Sequence, residues 1–146
     1  MKNSIPEKFK HSTRLEIRFV DVDAFGHVNN AHYLTYFEQA RVKYFDDIMG
    51  WKYDWNRQGI ILARAEINYK EPVLFRDDLY VMTHCSRIGT KSFDLDYLVI
   101  KKINEDDVIL AEGKTVMVAY DYDAGESIAV PEKWIGAIKK FEEIDL

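Results

Sequence analysis

At 146 residues the chain has room for one domain, and with 47% hydrophobic and 14% aromatic residues it can bury a core of ordinary size. A formal charge of −5 and the absence of any Lys/Arg-rich run argue against nucleic acid as a partner, because neutralising phosphates needs a basic surface, while leaving room for a small anionic ligand. The single cysteine, Cys85, excludes an internal disulfide or a cysteine metal cage; the polar MKNSIPEKFKHS start lacks a signal's apolar stretch, and no window reaches the roughly 18 apolar residues of a membrane span. A cytoplasmic protein with no membrane partner, folded as a single domain over 1–146, is expected.

Residues 13–20, TRLEIRFV, alternate as a first strand with Leu15, Ile17 and Phe19 on one face. Asp21 to Asn30 reads as a loop, with Gly26 as a turn residue of positive φ. Asn29 or Asn30 is a natural N-cap for a helix over 31–49 that stops at Gly50. On that helix His32, Thr35, Gln39, Lys43 and Asp46 form a polar stripe, while Tyr33, Leu34, Phe37, Tyr44, Phe45 and Ile48 fill the rest. Glu38 and Arg41 break the apolar arc side by side, as a buried pair or an interface salt bridge.

An aromatic-rich connection, WKYDWN, follows from Trp51. From Gly59 the period is two: Ala63, Ala65, Ile67 and Tyr69 alternate with polar residues until Pro72. Further strands are expected over 79–86, 92–102 and 108–122, joined by hairpins at RIGTK and NEDD. Pro131 followed by Trp134, Ile135, Ile138 and Phe141 predicts a short C-terminal helix. One antiparallel sheet has two faces and one long helix covers only one, so the helix should lie in the concave side of the sheet. The exposed edges should pair with a second copy.

The stretch FVDVDAFGHVNNAHYLTYFEQAR, with AEINYKEPVLFRDDLYVMTHCSRIGTKSF and AEGKTVMVAYD behind it, resembles the hotdog-fold acyl-CoA thioesterases of the 4-hydroxybenzoyl-CoA thioesterase type. The resemblance implies an α+β hotdog fold, a long central helix wrapped by a five-stranded antiparallel sheet that dimerises through the sheet, with a homotetramer of two dimers common in the family. It implies hydrolysis of an acyl-CoA to the free acid and coenzyme A, with no cofactor and no metal. The aspartate just before the glycine turn, Asp23 here, takes the part of nucleophile or general base, and the amide at the helix start, Asn30, that of oxyanion donor. HVNNAHY is particularly similar to long-chain acyl-CoA thioesterases and to plant acyl-carrier-protein thioesterases. Plant enzymes use a histidine at the position of His27 with an Asn two residues earlier, where this chain has Phe25. Some relatives bind coenzyme A phosphates through a basic turn, of which Lys91 and Arg87 remain here.

These residue types suit the chemistry. A thioester needs a group that attacks or activates water and donors for the oxyanion; a carboxylate supplies the first, and the unpaired N–H groups of a helix start the second. Within this resemblance Gly26 is expected to leave room for the acyl carbonyl, and Tyr33, Phe37, Tyr44 and the WKYDW segment from Trp51 to Trp55 to line the acyl tunnel, the other reading of these aromatics at helical spacing being plain core. His27 and His32 have no metal-site spacing, and Cys85 lacks a partner base. Three readings rival acyl-CoA hydrolysis: an acyl-carrier-protein thioesterase, a hotdog hydratase or dehydratase, and a non-catalytic acyl-binding module.

Overall fold

The computed structural model describes residues 4–50 and 52–143; Trp51, expected in the aromatic connection, lies outside the described residues. The elements run β1 (His11–Leu15), a 3-10 turn (Phe19–Asp21), α1 (His32–Met49), β2 (Gln58–Tyr69), β3 (Leu79–Ile88), β4 (Ser92–Ile103), β5 (Asp106–Asp121), β6 (Glu126–Ser127) and α2 (Glu132–Glu142). All described strand pairs are antiparallel, in the order β1-β3-β4-β5-β2 with β6 on β5. This is the hotdog architecture, α+β, and the sheet has six strands rather than the five expected, because two residues after the Asp121–Gly125 turn pair back on β5.

Tyr33, Tyr36, Phe37, Ala40, Tyr44 and Phe45 recur at helical spacing and are all buried. They meet Phe93, Leu95, Tyr97 and Val99 of β4 and Met117 and Ala119 of β5 in one core. Phe37 stacks on Tyr97 with centroids 4.3 Å apart and lies over Gly113, where no Cβ would fit. Burying each such side chain is worth about 1.5–3 kcal/mol, so the helix is anchored by packing rather than by its intrinsic propensity. Gly50 ends it at φ +90°.

Four expectations need correcting. The first strand stops at Leu15, and the chain turns at Arg18–Asp21 because the Asp21 carboxylate accepts the Arg18 N–H and guanidinium; Phe19 is therefore exposed rather than in line with Leu15. Leu34, placed on the apolar arc, is half exposed. The helix cap is Ala31, with no side-chain cap bond, because Asn29 spends its side-chain oxygen on the Ala31 N–H before the helix begins. The convex face of the sheet is partly covered as well: Phe9 packs on Leu98 and Ile100, which is why β4 is buried on both sides.

β2 is the opposite case. It is exposed along nearly its whole length on both faces, and among the described residues only β5 pairs with it. A bulge between Leu62 and Arg64 marks its middle.

Candidate active site

The loop between the 3-10 turn and α1 is folded by its own backbone. Val22 bridges Val28, the Asp23 N–H donates to the His27 carbonyl at 3.1 Å, and the Gly26 N–H donates to the Asp23 carbonyl at 3.0 Å. Gly26 has φ +90°, a conformation that costs other residues a steric penalty and glycine none. The hairpin-like turn projects Phe25 into solvent, 86% exposed, and leaves Asp23 half buried beside the helix start.

Two aspartates two residues apart meet contrasting surroundings. Asp21 has no exposure; it accepts the Arg18 N–H at 3.0 Å, the Arg18 guanidinium at 2.8 and 3.1 Å, and the Tyr36 hydroxyl at 2.8 Å, with His32 3.5 Å away. Burial pushes its carboxyl up, but these hydrogen bonds and the Arg18 charge together outweigh burial and hold it below the usual carboxylate range. Burial first, and then this carboxylate, pushes the Tyr36 phenol far up, so it stays a donor. Among the described residues, Asp23 instead accepts only the Phe25 N–H at 2.9 Å and the Asn29 side-chain N–H at 3.2 Å.

Asn29 is the residue that sequence reasoning undervalued. Its N–H donates to the Asp21 carbonyl, its side-chain N–H holds Asp23, its side-chain oxygen accepts the Ala31 N–H at 3.0 Å, and its carbonyl accepts the His32 N–H at 3.0 Å. With that carbonyl turned along the helix, the N–H on the far end of the same trans peptide, that of Asn30, points away from it. No described residue offers the Asn30 N–H an acceptor. The Asn30 carbonyl is held in turn by the Tyr69 hydroxyl at 3.2 Å, and Tyr69 packs edge-on against Tyr33.

His27, Val28, Asn30, Tyr33, Tyr69 and Lys70 line a cavity of about 300 Å³ at this helix start. Three of the expected site residues thus share one cavity, and Asp23 and Gly26 lie in the loop that carries it. Arg87 and Lys91 do not join them. They sit at the β3–β4 hairpin, outside the lining of that cavity. Arg87 is committed to Ser92 and Asp94, each at 2.9 Å, whereas Lys91 is exposed. Arg41 and Glu38 are 3.8 Å apart, with Arg41 mostly buried and Glu38 exposed. Burial pushes the Cys85 thiol up to about 12, so it is no nucleophile. Among the described residues no three His, Cys, Asp or Glu side chains gather so as to hold a metal ion, and no helix is long and apolar enough to cross a membrane.

The family model of the thioesterase-like superfamily matches residues 17–138, from just before the Asp21 turn to the middle of α2. The chain belongs to the thioesterase-like superfamily. Among solved superfamily structures, a thioesterase of Thermus thermophilus complexed with coenzyme A and Zn is 32% identical, with 97% of this chain and all of that one covered at a TM-score of 0.81. The long-chain acyl-CoA thioesterase FadM of Escherichia coli is 24% identical over 120 residues, 81% of this chain and 89% of FadM. An acyl-acyl carrier protein thioesterase of Arabidopsis thaliana, ATL3, is 27% identical over 114 residues, 77% of this chain and 60% of its own length. Membership makes the chain a thioester hydrolase, and its hotdog fold is that of these enzymes.

Proposed function

We propose that the enzyme hydrolyses an acyl-CoA thioester to the free acid and coenzyme A, with Asp23 as the reactive carboxylate. The observation that carries this reading is the pairing of an Asn29-held, half-buried carboxylate with the unaccepted Asn30 N–H at the start of α1. Asp23 either attacks the thioester carbonyl carbon, expelling the thiolate and leaving an anhydride that water opens, or takes a proton from water that attacks directly. In both routes the carbonyl oxygen becomes an oxyanion at the Asn30 N–H, where the helix adds about half a positive charge. A donor of this kind is worth about 3 kcal/mol in acyl transfer. Gly26 leaves space for the acyl carbonyl, His27 orients water beside Asp23, and Tyr33 bounds the cavity.

Coenzyme A as the carrier is supported by the Thermus relative solved with it. Assembly as a homodimer is supported by β2, an edge strand with Ile61 and Leu62 40% and 45% exposed on opposite faces, which a two-fold antiparallel pairing would extend and cover. In such a dimer the partner's RIGTK hairpin approaches the site, and Lys91 with Arg87 is the handle for coenzyme A phosphates.

Thiol release from acetyl-, butyryl-, decanoyl-, palmitoyl- and benzoyl-CoA tests this reading. Turnover of at least one, abolished by Asp23→Asn, is the expected result; a wild-type protein that releases no thiol from any of them contradicts it.

A further inference from the structure

Helix α1 begins at His32, so Asn30 lies ahead of the regular ladder and its conformation is set by individual bonds rather than by helix geometry. Two peptides flank it. The Asn29–Asn30 peptide is held through its carbonyl, which accepts the His32 N–H at 3.0 Å, and the Asn30–Ala31 peptide through its N–H, which donates to the Asn29 side chain at 3.0 Å. Both bonds stay within the same few residues, so they shape the helix start without fixing it to the sheet.

The bond that reaches across comes from Tyr69, 39 residues further on, whose hydroxyl donates to the Asn30 carbonyl at 3.2 Å. Among the described residues the other donor to this carbonyl is the Tyr33 N–H, at 3.4 Å and near the limit of a hydrogen bond. Tyr69 is itself firmly placed. It ends β2 opposite Ala111 of β5, and the next two N–H groups, of Lys70 and Glu71, both donate to the Leu110 carbonyl, at 2.9 and 3.0 Å. Its ring meets the buried Tyr33 edge-on, with centroids 4.9 Å apart. Burial pushes the Tyr69 phenol up, so it stays protonated and a donor near neutral pH. Packing on Tyr33 requires the ring alone; the hydroxyl adds the bond to Asn30.

We propose that Tyr69 is a positioning residue for thioester hydrolysis: its hydroxyl anchors the Asn30 peptide to the sheet and so holds the Asn30 N–H where the oxyanion forms. The role rests on the reading of Asn30 as oxyanion donor given above. Tyr69 acts through the backbone, so its effect belongs to kcat. A donor that drifts from its place loses worth in the transition state, where the charge develops, while the ground-state thioester leans on it less and binds as before.

Tyr69→Phe removes the hydroxyl and keeps the ring. With the fastest substrate among the acyl-CoAs above, the expected result is a kcat lower by about tenfold, a KM within about twofold and an unfolding temperature within about two degrees of the wild type. The thioether of coenzyme A with the same carbon body, S-decyl-CoA where decanoyl-CoA is the substrate, has no carbonyl to place at Asn30 and reports binding alone; its inhibition constant should not move. Tyr69→Leu, which drops ring and hydroxyl together, should lose kcat to at least the same extent. A kcat for Tyr69→Phe within about twofold of the wild type overturns the proposal, whatever Tyr69→Leu does, since the ring is then the part that matters. A rise in the thioether inhibition constant that matches the loss of kcat/KM overturns it too, because Tyr69 is then a wall of the binding cavity. So does a fall in unfolding temperature of more than about five degrees accompanied by loss of thioether binding, the mark of a structural role. Failure of the acyl-CoA reading is separate, since it shows as no thiol release by the wild type or as near-normal turnover by Asp23→Asn.

Discussion

Asp21 and Asp23 share a loop and differ in what surrounds them. Asp21 is sealed under Arg18, Tyr36 and His32 and fixes the turn that aims the loop; Asp23 is left with two modest donors and an open side. Because its folded pKa lies below its ordinary value of about 3.9, Asp21 contributes stability that is complete above about pH 4 and is lost as pH falls through the lower, folded value. Urea midpoints between pH 7 and pH 2.5 should therefore fall more steeply for the wild type than for Asp21→Asn, which is itself destabilised by about 2 kcal/mol at pH 7. Asn29→Ala should leave the fold in place and lower kcat by about tenfold or more with little change in KM, read by steady-state thiol release, because it frees Asp23 without removing it. The two aspartates, Gly26 and Asn30 are visible in the sequence as residue types near a helix start. Their contrasting surroundings are not, since these depend on Arg18 and Tyr36 closing on one carboxylate and on Asn29 making four separate hydrogen bonds.

At the scale of elements, α1 was legible because its buried positions keep a strict helical period, and the β3–β4–β5 meander because its turns carry Gly and Asx residues. β1 was misread at its end: TRLEIRFV alternates well, but a carboxylate three residues ahead of Arg18 bends the chain out of the sheet after Leu15. The end of α2 shows the same kind of local chemistry. Glu142, 3% exposed, accepts the Tyr44 hydroxyl at 2.7 Å and the Cys85 N–H at 2.9 Å, and lies 3.1 Å from His84 Nδ1. β1 covers β3 only as far as Thr83, so this carboxylate satisfies the strand beyond it and ties α2 to both α1 and the sheet. Glu142→Ala should cost about 2–4 kcal/mol in chemical denaturation, since it leaves a buried phenol and a buried amide without an acceptor. No periodicity rule finds Glu142, a charged residue in a tail of charged residues.

At the scale of the whole molecule, the exposed β2 sets the expectation of assembly. An edge strand of 12 residues with apolar side chains on both faces invites pairing, and its length is uninterrupted by proline. Ile61→Glu together with Leu62→Glu should shift the sedimentation coefficient from dimer to monomer, because both charges fall on the strand through which the copies are proposed to pair. The alternating 63–69 segment read correctly as a strand, yet its alternation pointed to one buried face, and within that segment Ile67 alone is partly buried against the core.

The most direct test of the account compares Asp23→Asn with Asp21→Asn in one experiment, measuring thermal unfolding and thiol release on the same preparations. The account predicts that Asp23→Asn unfolds within a degree or two of the wild type while losing about a hundredfold or more in kcat/KM, and that Asp21→Asn unfolds several degrees lower. Near-normal turnover by a folded Asp23→Asn protein would contradict it.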